Sequence, residues 1–187
     1  MSPTHLRPDT LVLGVDPGTL VTGYGVVSRR KGRMSLVTCG IIKNSPFDQL
    51  SMRLVRIYSG LRTVIETFHP DEFAIESAFY GKNAQSALKL GHARGVSLLA
   101  AAEKKLPISE YTPREIKKAV VGKGQASKSQ VQYMVRTLLA LSSTAMKLDA
   151  SDAIATAICR LHRMTEPGKE YRDWKSFIAA HPERVRT

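Results

Sequence analysis

Three short apolar segments of strand character open the chain. Thr10 to Val15 (TLVLGV) is stopped by Asp16-Pro-Gly18, Thr22 to Ser28 (TGYGVVS) runs into Arg29-Arg-Lys-Gly32, and Ser35 to Ile42 (SLVTCGII) is rich in β-branched residues. Connections this short predict antiparallel neighbours. The period then changes: between Phe47 and Phe68, Leu50, Leu54, Ile57, Tyr58, Leu61, Ile65 and Phe68 recur at three and four, one face of a helix that His69-Pro70 ends. Glu72 to Ser77 (EFAIES) has Phe73, Ala74 and Ile75 in succession and predicts a buried central strand. A second helix, Ala84 to Lys105, precedes a strand at Ile108 to Tyr111. Thr112-Pro-Arg-Glu115 is a capping box with proline at the first helical position. After the basic loop Val121 to Ala126, Ser127-Lys-Ser-Gln130 opens a further capped helix reaching Leu141, and Asp149 to Met164 is a last, alanine-rich helix. The order describes one α/β domain with a mixed sheet over residues 10–164, a nine-residue extension before it (1–9) and a tail after it (165–187).

Composition narrows the class. At 187 residues the chain has the size of one domain, able to bury roughly 70% of its unfolded surface without staples. No apolar run reaches the ~18 residues that span a bilayer, and the first residues lack the apolar core of a signal peptide. Cys39 and Cys159 are too few for a disulfide framework and are not spaced as a metal clip, so they read as buried thiols in a reducing cytoplasm. Charge adds more: 28 Lys and Arg against 16 Asp and Glu give a formal net charge of +12, which draws polyanions. No long basic amphipathic segment favours a membrane surface. Between Arg114 and Arg136, Arg114, Lys117, Lys118, Lys123, Lys128 and Arg136 face the single acid Glu115. This stretch suits phosphate tracking, with a merely solvated face as the alternative.

Against that basic background a few acids sit where they need a reason. Asp16 ends the first strand, although Asp-Pro-Gly also suits a turn by itself. Glu76 follows three consecutive apolar residues, where an unpaired carboxylate costs several kcal/mol and calls for a cation or donor. Asp149 and Asp152 share one face at the start of the last helix; helix capping explains one of them well and the pair less well. If the first and fourth strands are neighbours, Asp16 and Glu76 emerge together at their carboxyl ends, where α/β sheets place ligands. The last helix then brings the other two acids. Such an all-oxygen nest suits Mg2+ or Mn2+ and not zinc. Two such ions would activate a water and stabilise the leaving oxygen of a phosphodiester.

Six segments carry a family resemblance: Gly14-Val-Asp-Pro-Gly-Thr19, Val21-Thr-Gly-Tyr-Gly-Val26, Ala74-Ile-Glu-Ser77, Asn83 to Val96 (NAQSALKLGHARGV), Lys128-Ser-Gln-Val-Gln132 with Met134 to Leu139, and Asp149-Ala-Ser-Asp-Ala153. In order, and from about Leu11 to Met164, they closely resemble the bacterial RuvC crossover-junction endodeoxyribonucleases. The resemblance implies a ribonuclease H-like α/β fold with a mixed five-stranded sheet flanked by helices. It implies a homodimer that resolves Holliday junctions by paired nicks in strands of like polarity, with two Mg2+ per subunit and Mn2+ as a substitute. Its catalytic, metal-holding acids correspond to Asp16, Glu76, Asp149 and Asp152. By the same resemblance Phe79 stacks on unpaired bases near the crossover with Tyr80 beside it, and Lys117 and Lys128 hold DNA near the scissile phosphate. Ala87, Gly91 and Gly95 then lie on a dimerising helix, and the RuvA–RuvB branch-migration complex is the expected protein partner. His92 and His162 read as satisfied helix histidines.

Three other classes compete. A non-catalytic DNA-binding module of the same fold would tolerate loss of an acid, and all four are present. An actin-like phosphotransferase would use the Asp16 turn on a nucleotide but needs two such domains. A related RNA-processing nuclease would separate by its preference for structured RNA over a DNA junction.

Overall fold

The structure, a computed structural model, describes residues 9–77, 84–141 and 150–165, with side chains for all of these but 84–86 and 165. Strands β1 (Asp9–Asp16), β2 (Val21–Arg30) and β3 (Arg33–Lys43) form an antiparallel meander. Helix α1 (Leu50–Phe68) leads to β4 (Glu72–Glu76), which pairs parallel with β1, and α2 (Ala84–Glu103) leads to β5 (Ile108–Tyr111), parallel with β4. Helices α3 (Pro113–Val121), α4 (Lys128–Leu138) and α5 (Ser151–Thr165) follow. The sheet order is β3-β2-β1-β4-β5.

Alternation along the strands divides the core in two. Leu13, Val15, Val26, Phe73 and Ile75 face α1 and α2, packing on Ile57, Leu61, Ile65 and Ala93. Val12, Val27 and Ala74 face the other way, towards Ile154, Ile158 and Leu161 of α5, with α3 and α4 outside. One feature decides how close α5 comes. Gly14 and Gly25 are paired across β1 and β2. A Cβ on Gly14 would stand 2.1 Å from the Ala153 carbonyl oxygen, and one on Gly25 2.5 Å from Ile154 Cγ1. Two bare positions in the sheet, under a helix whose Ala153, Ala155 and Ala157 are buried, let α5 lie on the strands at backbone distance. Its far end is fixed as well: the Arg29 guanidinium donates to the Leu161 carbonyl at 2.8 Å. The Arg160 guanidinium meets both oxygens of the buried Glu72 carboxylate at 3.1–3.2 Å.

Local signals account for most element ends. Thr112 with Glu115, and Ser127 with Gln130, form reciprocal capping boxes on α3 and α4. Lys31 and Gly32, with φ of 47° and 79°, make the two-residue left-handed turn that matches strand twist in the β2–β3 hairpin. Three expected helix ends shift. α1 starts at Leu50 and not at Phe47, because residues 45–48 close a turn in which the Asp48 amide donates to the Ser45 carbonyl at 3.2 Å. Phe47 is left 96% exposed. α2 ends at Glu103 and α4 at Leu138, where Lys105 and Ala140 take positive φ.

Candidate active site

Asp16 is the last residue of β1 and Glu76 the last of β4, each one step beyond the registered pair Val15 and Ile75. Side chains alternate along a strand, so Asp16 falls on the Gly14 face and Glu76 on the Ala74 face, the side that α5 covers. Asp152 lies in the first turn of α5, and the seating of that helix on Gly14 and Gly25 carries it over the ends of these strands. Three carboxylates from segments far apart in sequence therefore meet at one edge of the sheet. Asp149 lies outside the described residues, as do Phe79 and Tyr80.

The electrostatics record the convergence. Burial, then the Asp152 charge, push the Asp16 carboxyl up to about 6 against the opposing pull of Lys128. Burial and the charges of Asp16 and Asp152 push Glu76 up to about 7, with Lys117 and Lys128 opposing. Lys128 Nζ stands 2.7 Å from Asp152 Oδ2, the lysine 62% and the aspartate 27% exposed. Lys117 of α3 and Lys128 of α4 line, with Glu76 and Asp152, an open cavity of about 260 Å3. The site thus pairs acids rooted in the sheet and in α5 with two amines on α3 and α4.

A divalent ion suits these residues. Among the described residues no three His, Cys, Asp or Glu side chains enclose an ion by themselves. Yet the donors that do converge are all carboxylate oxygens, the set a hard cation takes. Burial first, and then the crowding of negative charges with only lysines to offset them, raises Asp16 and Glu76.

Two features that brace the site's elements carry no sequence signal strong enough to single them out. Asn44, 4% exposed, clasps the turn that follows Asp16. Its amide donates to the Leu20 carbonyl at 2.8 Å and its side-chain nitrogen to the Thr19 carbonyl at 2.9 Å, while its side-chain oxygen accepts from Arg56 at 2.8 Å. Thr22 closes the same turn from within, its hydroxyl donating to the Gly18 carbonyl at 2.7 Å. The Glu72–Arg160 pair is the second feature; its partners are 88 residues apart.

The expected dimer residues lie on α2. Ala93, Ser97, Ala100 and Ala101 of that helix are buried. Gly91 and Gly95 are exposed with open space where a Cβ would stand, and Leu88 and Leu99 are 63% and 59% exposed. Spaced by three and four, Leu88, Gly91, Gly95 and Leu99 form one outward stripe; Ala87 is half-buried beside it. The ring nitrogen Nδ1 of His162 bonds the Ala119 carbonyl at 2.8 Å, as expected, whereas the buried Nδ1 of His92 has no hydrogen-bond partner among the described residues.

An open mixed sheet of this order, with three antiparallel strands followed by two parallel ones and helices on both faces, defines an α/β protein of the ribonuclease H-like class. T. thermophilus RuvC in complex with Holliday junction substrate superposes with a TM-score of 0.77 at 32% identity, over 82% of this chain and 93% of that one. The yeast mitochondrial Holliday junction resolvase Ydc2, at 14% identity and a TM-score of 0.58, shares the fold. Residues 12–160 match the family profile of crossover junction endodeoxyribonuclease RuvC. The RuvC proteins of Cytophaga hutchinsonii (41% identity over 96% of this chain and 90% of that protein) and Pelotomaculum thermopropionicum (48% over 83% and 94%) are close relatives. The chain belongs to the RuvC family of crossover junction endodeoxyribonucleases.

Proposed function

We propose that the protein resolves Holliday junctions in homologous recombination and DNA repair, as a structure-selective endonuclease that makes paired, symmetric nicks in DNA strands of like polarity. The observation that carries this reading is the meeting of Asp16, Glu76 and Asp152 at the carboxyl ends of β1 and β4, opposite Lys117 and Lys128, in a chain of this family. Residues 10–164 form the nuclease domain, with 1–9 and 165–187 as extensions.

Asp16, Glu76, Asp149 and Asp152 are the catalytic acids and hold two Mg2+ per subunit, with Mn2+ as a substitute. When bound, the ions lower the pKa of a water and neutralise charge on the phosphate. The chain's own groups do the rest. Lys117 and Lys128 fix the strand by its phosphates, and the exposed Lys128 exchanges Asp152 for DNA, since an ion pair so open to water is worth no more than about 1 kcal/mol. Asp16 and Glu76, fixed on neighbouring strands, hold their oxygens in place without reorganisation as the phosphate reacts. Phe79 and Tyr80 stack on bases unpaired at the crossover, a contact worth roughly 1–3 kcal/mol per base.

Two symmetric nicks require two sites related by a two-fold axis. The stripe on α2, with Ala87, Gly91 and Gly95, is the surface we assign to the homodimer. RuvA–RuvB is the partner complex and the cytoplasm the compartment; among the described residues no helix is long and apolar enough to cross a membrane.

The test is a synthetic immobile junction with each strand labelled in turn, incubated with Mg2+, with Mn2+ and with chelator. Paired nicks on opposed strands, dependent on a divalent ion and absent from linear duplex and structured RNA, are expected. Equal cutting of duplex, or activity that survives exhaustive chelation, overturns the reading.

A further inference from the structure

Beside the active-site cavity lies a second hollow of about 350 Å3, lined by Arg114, Lys123, Gly124, Gln125, Ala126 and Gln130. The two flank the same pair of helix openings: Pro113 and Val131 line the first, and their sequence neighbours Arg114 and Gln130 line the second. The active-site assignment does not use this hollow.

Among the described residues no acid offsets its charge. Arg94, Arg160, Arg163 and Lys128 are each paired with an acid. Among the described residues neither the Arg114 nor the Lys123 side chain has an ion-pair or hydrogen-bond partner. Arg114 is nonetheless positioned. A Cβ on Gly124 would meet Arg114 Cγ at 2.6 Å and Nε at 3.3 Å, so the arginine stem rests on the bare backbone of the loop and its guanidinium lies against the hollow. Gln130 spends its side-chain oxygen on the Ser127 amide at 2.8 Å, which leaves its NH2 as a further donor. The hollow therefore offers donors and positive charge, and none of its lining residues is acidic. A fixed guanidinium beside an amine is the donor set for phosphate oxygens.

We propose that Arg114 and Lys123 form a second phosphate subsite, which holds a backbone phosphate of the DNA strand away from the reacting position. This rests on the reading of the chain as a junction nuclease and deepens it. One strand then runs from the acids, past Lys117 and Lys128, over the openings of α3 and α4 and into the loop at Lys123. The subsite adds affinity and register and takes no part in bond breaking.

The test uses the full chain, a labelled immobile junction and a linear duplex. Dissociation constants are measured in chelator between 50 and 200 mM salt, and single-turnover nicking at saturating protein with Mg2+. The wild type is compared with Arg114→Gln/Lys123→Gln, with the charge-conserving Arg114→Lys/Lys123→Arg, and with Lys31→Gln in the hairpin at the opposite end of the sheet. For the glutamine pair, the slope of log affinity against log salt is expected to become shallower by about 1 per residue removed. Its affinity deficit is then roughly tenfold larger at 50 mM than at 200 mM. Nicking at saturation stays at the wild-type rate, and the charge-conserving pair and Lys31→Gln keep the wild-type slope. A wild-type slope in the glutamine pair, or a loss of nicking at saturation with affinity intact, overturns the subsite. Failure of the wild type to prefer the junction over duplex strikes the junction-nuclease reading instead, and the slope difference on duplex still reports on the subsite.

Discussion

Asp16 and Glu76 set a tension between stability and the proposed chemistry that can be measured on metal-free protein. Both carboxyls titrate higher in the fold, at about 6 and about 7, than their ordinary values of 3.8 and 4.5. The folded state therefore binds protons more tightly than the unfolded one. The stabilisation is full below pH 4 and is lost as pH rises through 6 and 7. In chelator, the melting temperature is expected to fall between pH 5 and pH 8, and Mg2+ to restore it at pH 8. Asp16→Asn removes one of the crowded charges; at pH 8 without metal it is expected to melt on the order of 3 °C higher and to bind the junction, while its nicking falls at least about 100-fold. Calorimetry alongside a strand-labelled cleavage assay checks both halves, and a variant that melts lower and still cuts contradicts them. Lys128→Gln removes an exposed partner of Asp152. Its melting point should barely move while cleavage at low DNA concentration drops, readable as a rise in apparent KM.

At the scale of elements, the position of α5 rests on Gly14 and Gly25. Gly14→Ala puts a methyl against the Ala153 carbonyl and the Ala157 amide, backbone atoms that no rotamer change can move. The helix must lift, and Asp152 lifts with it. Denaturant unfolding should show a loss of about 1–3 kcal/mol or more, and nicking should fall further than the folded fraction does. Gly32→Ala in the hairpin, whose φ of 79° meets open space, should cost about 1 kcal/mol and leave nicking alone. These elements also divide what sequence can disclose from what it cannot. The capping boxes at Thr112 and Ser127, the Lys31-Gly32 turn and the strand periods are local, and a few consecutive residues determine them. Asp16 and Glu76 stand out because an acid at the end of an apolar run is anomalous wherever the strand lies. Asn44, Glu72 with Arg160, and the seating of α5 on two glycines are different. Each is an ordinary residue until its distant partner arrives, and no spacing reveals the partner. Phe47 bounds the expected helical segment, yet the Ser45–Asp48 turn delays the helix to Leu50 and leaves the ring exposed.

At the scale of the whole molecule, the outward stripe of α2 and the surplus charge make separate demands. Leu88→Glu with Leu99→Glu places carboxylates on exposed positions that cost the monomer little. Sedimentation should shift from dimer to monomer, and junction products should change from paired cuts to single nicks; an unchanged dimer would remove α2 from the interface. The net charge of +12 predicts junction affinity that falls steeply with salt across all variants, so comparisons between them need a fixed ionic strength.

The clamp between Glu72 and Arg160 carries one more consequence. Eight residue steps of α5 lead from Asp152 to Arg160 and rise about 12 Å; four steps of β4 lead from Glu72 to Glu76 and span about 13 Å. Helix and strand run in opposite directions over matched lengths, with the proposed chemistry at one end and a half-buried ion pair at the other. An inserted or deleted residue between positions 152 and 160 would turn one end by about 100° relative to the other, and either the acid or the arginine would lose its place. A one-residue slip inside this span of α5 should therefore be as damaging to cleavage as the loss of an acid.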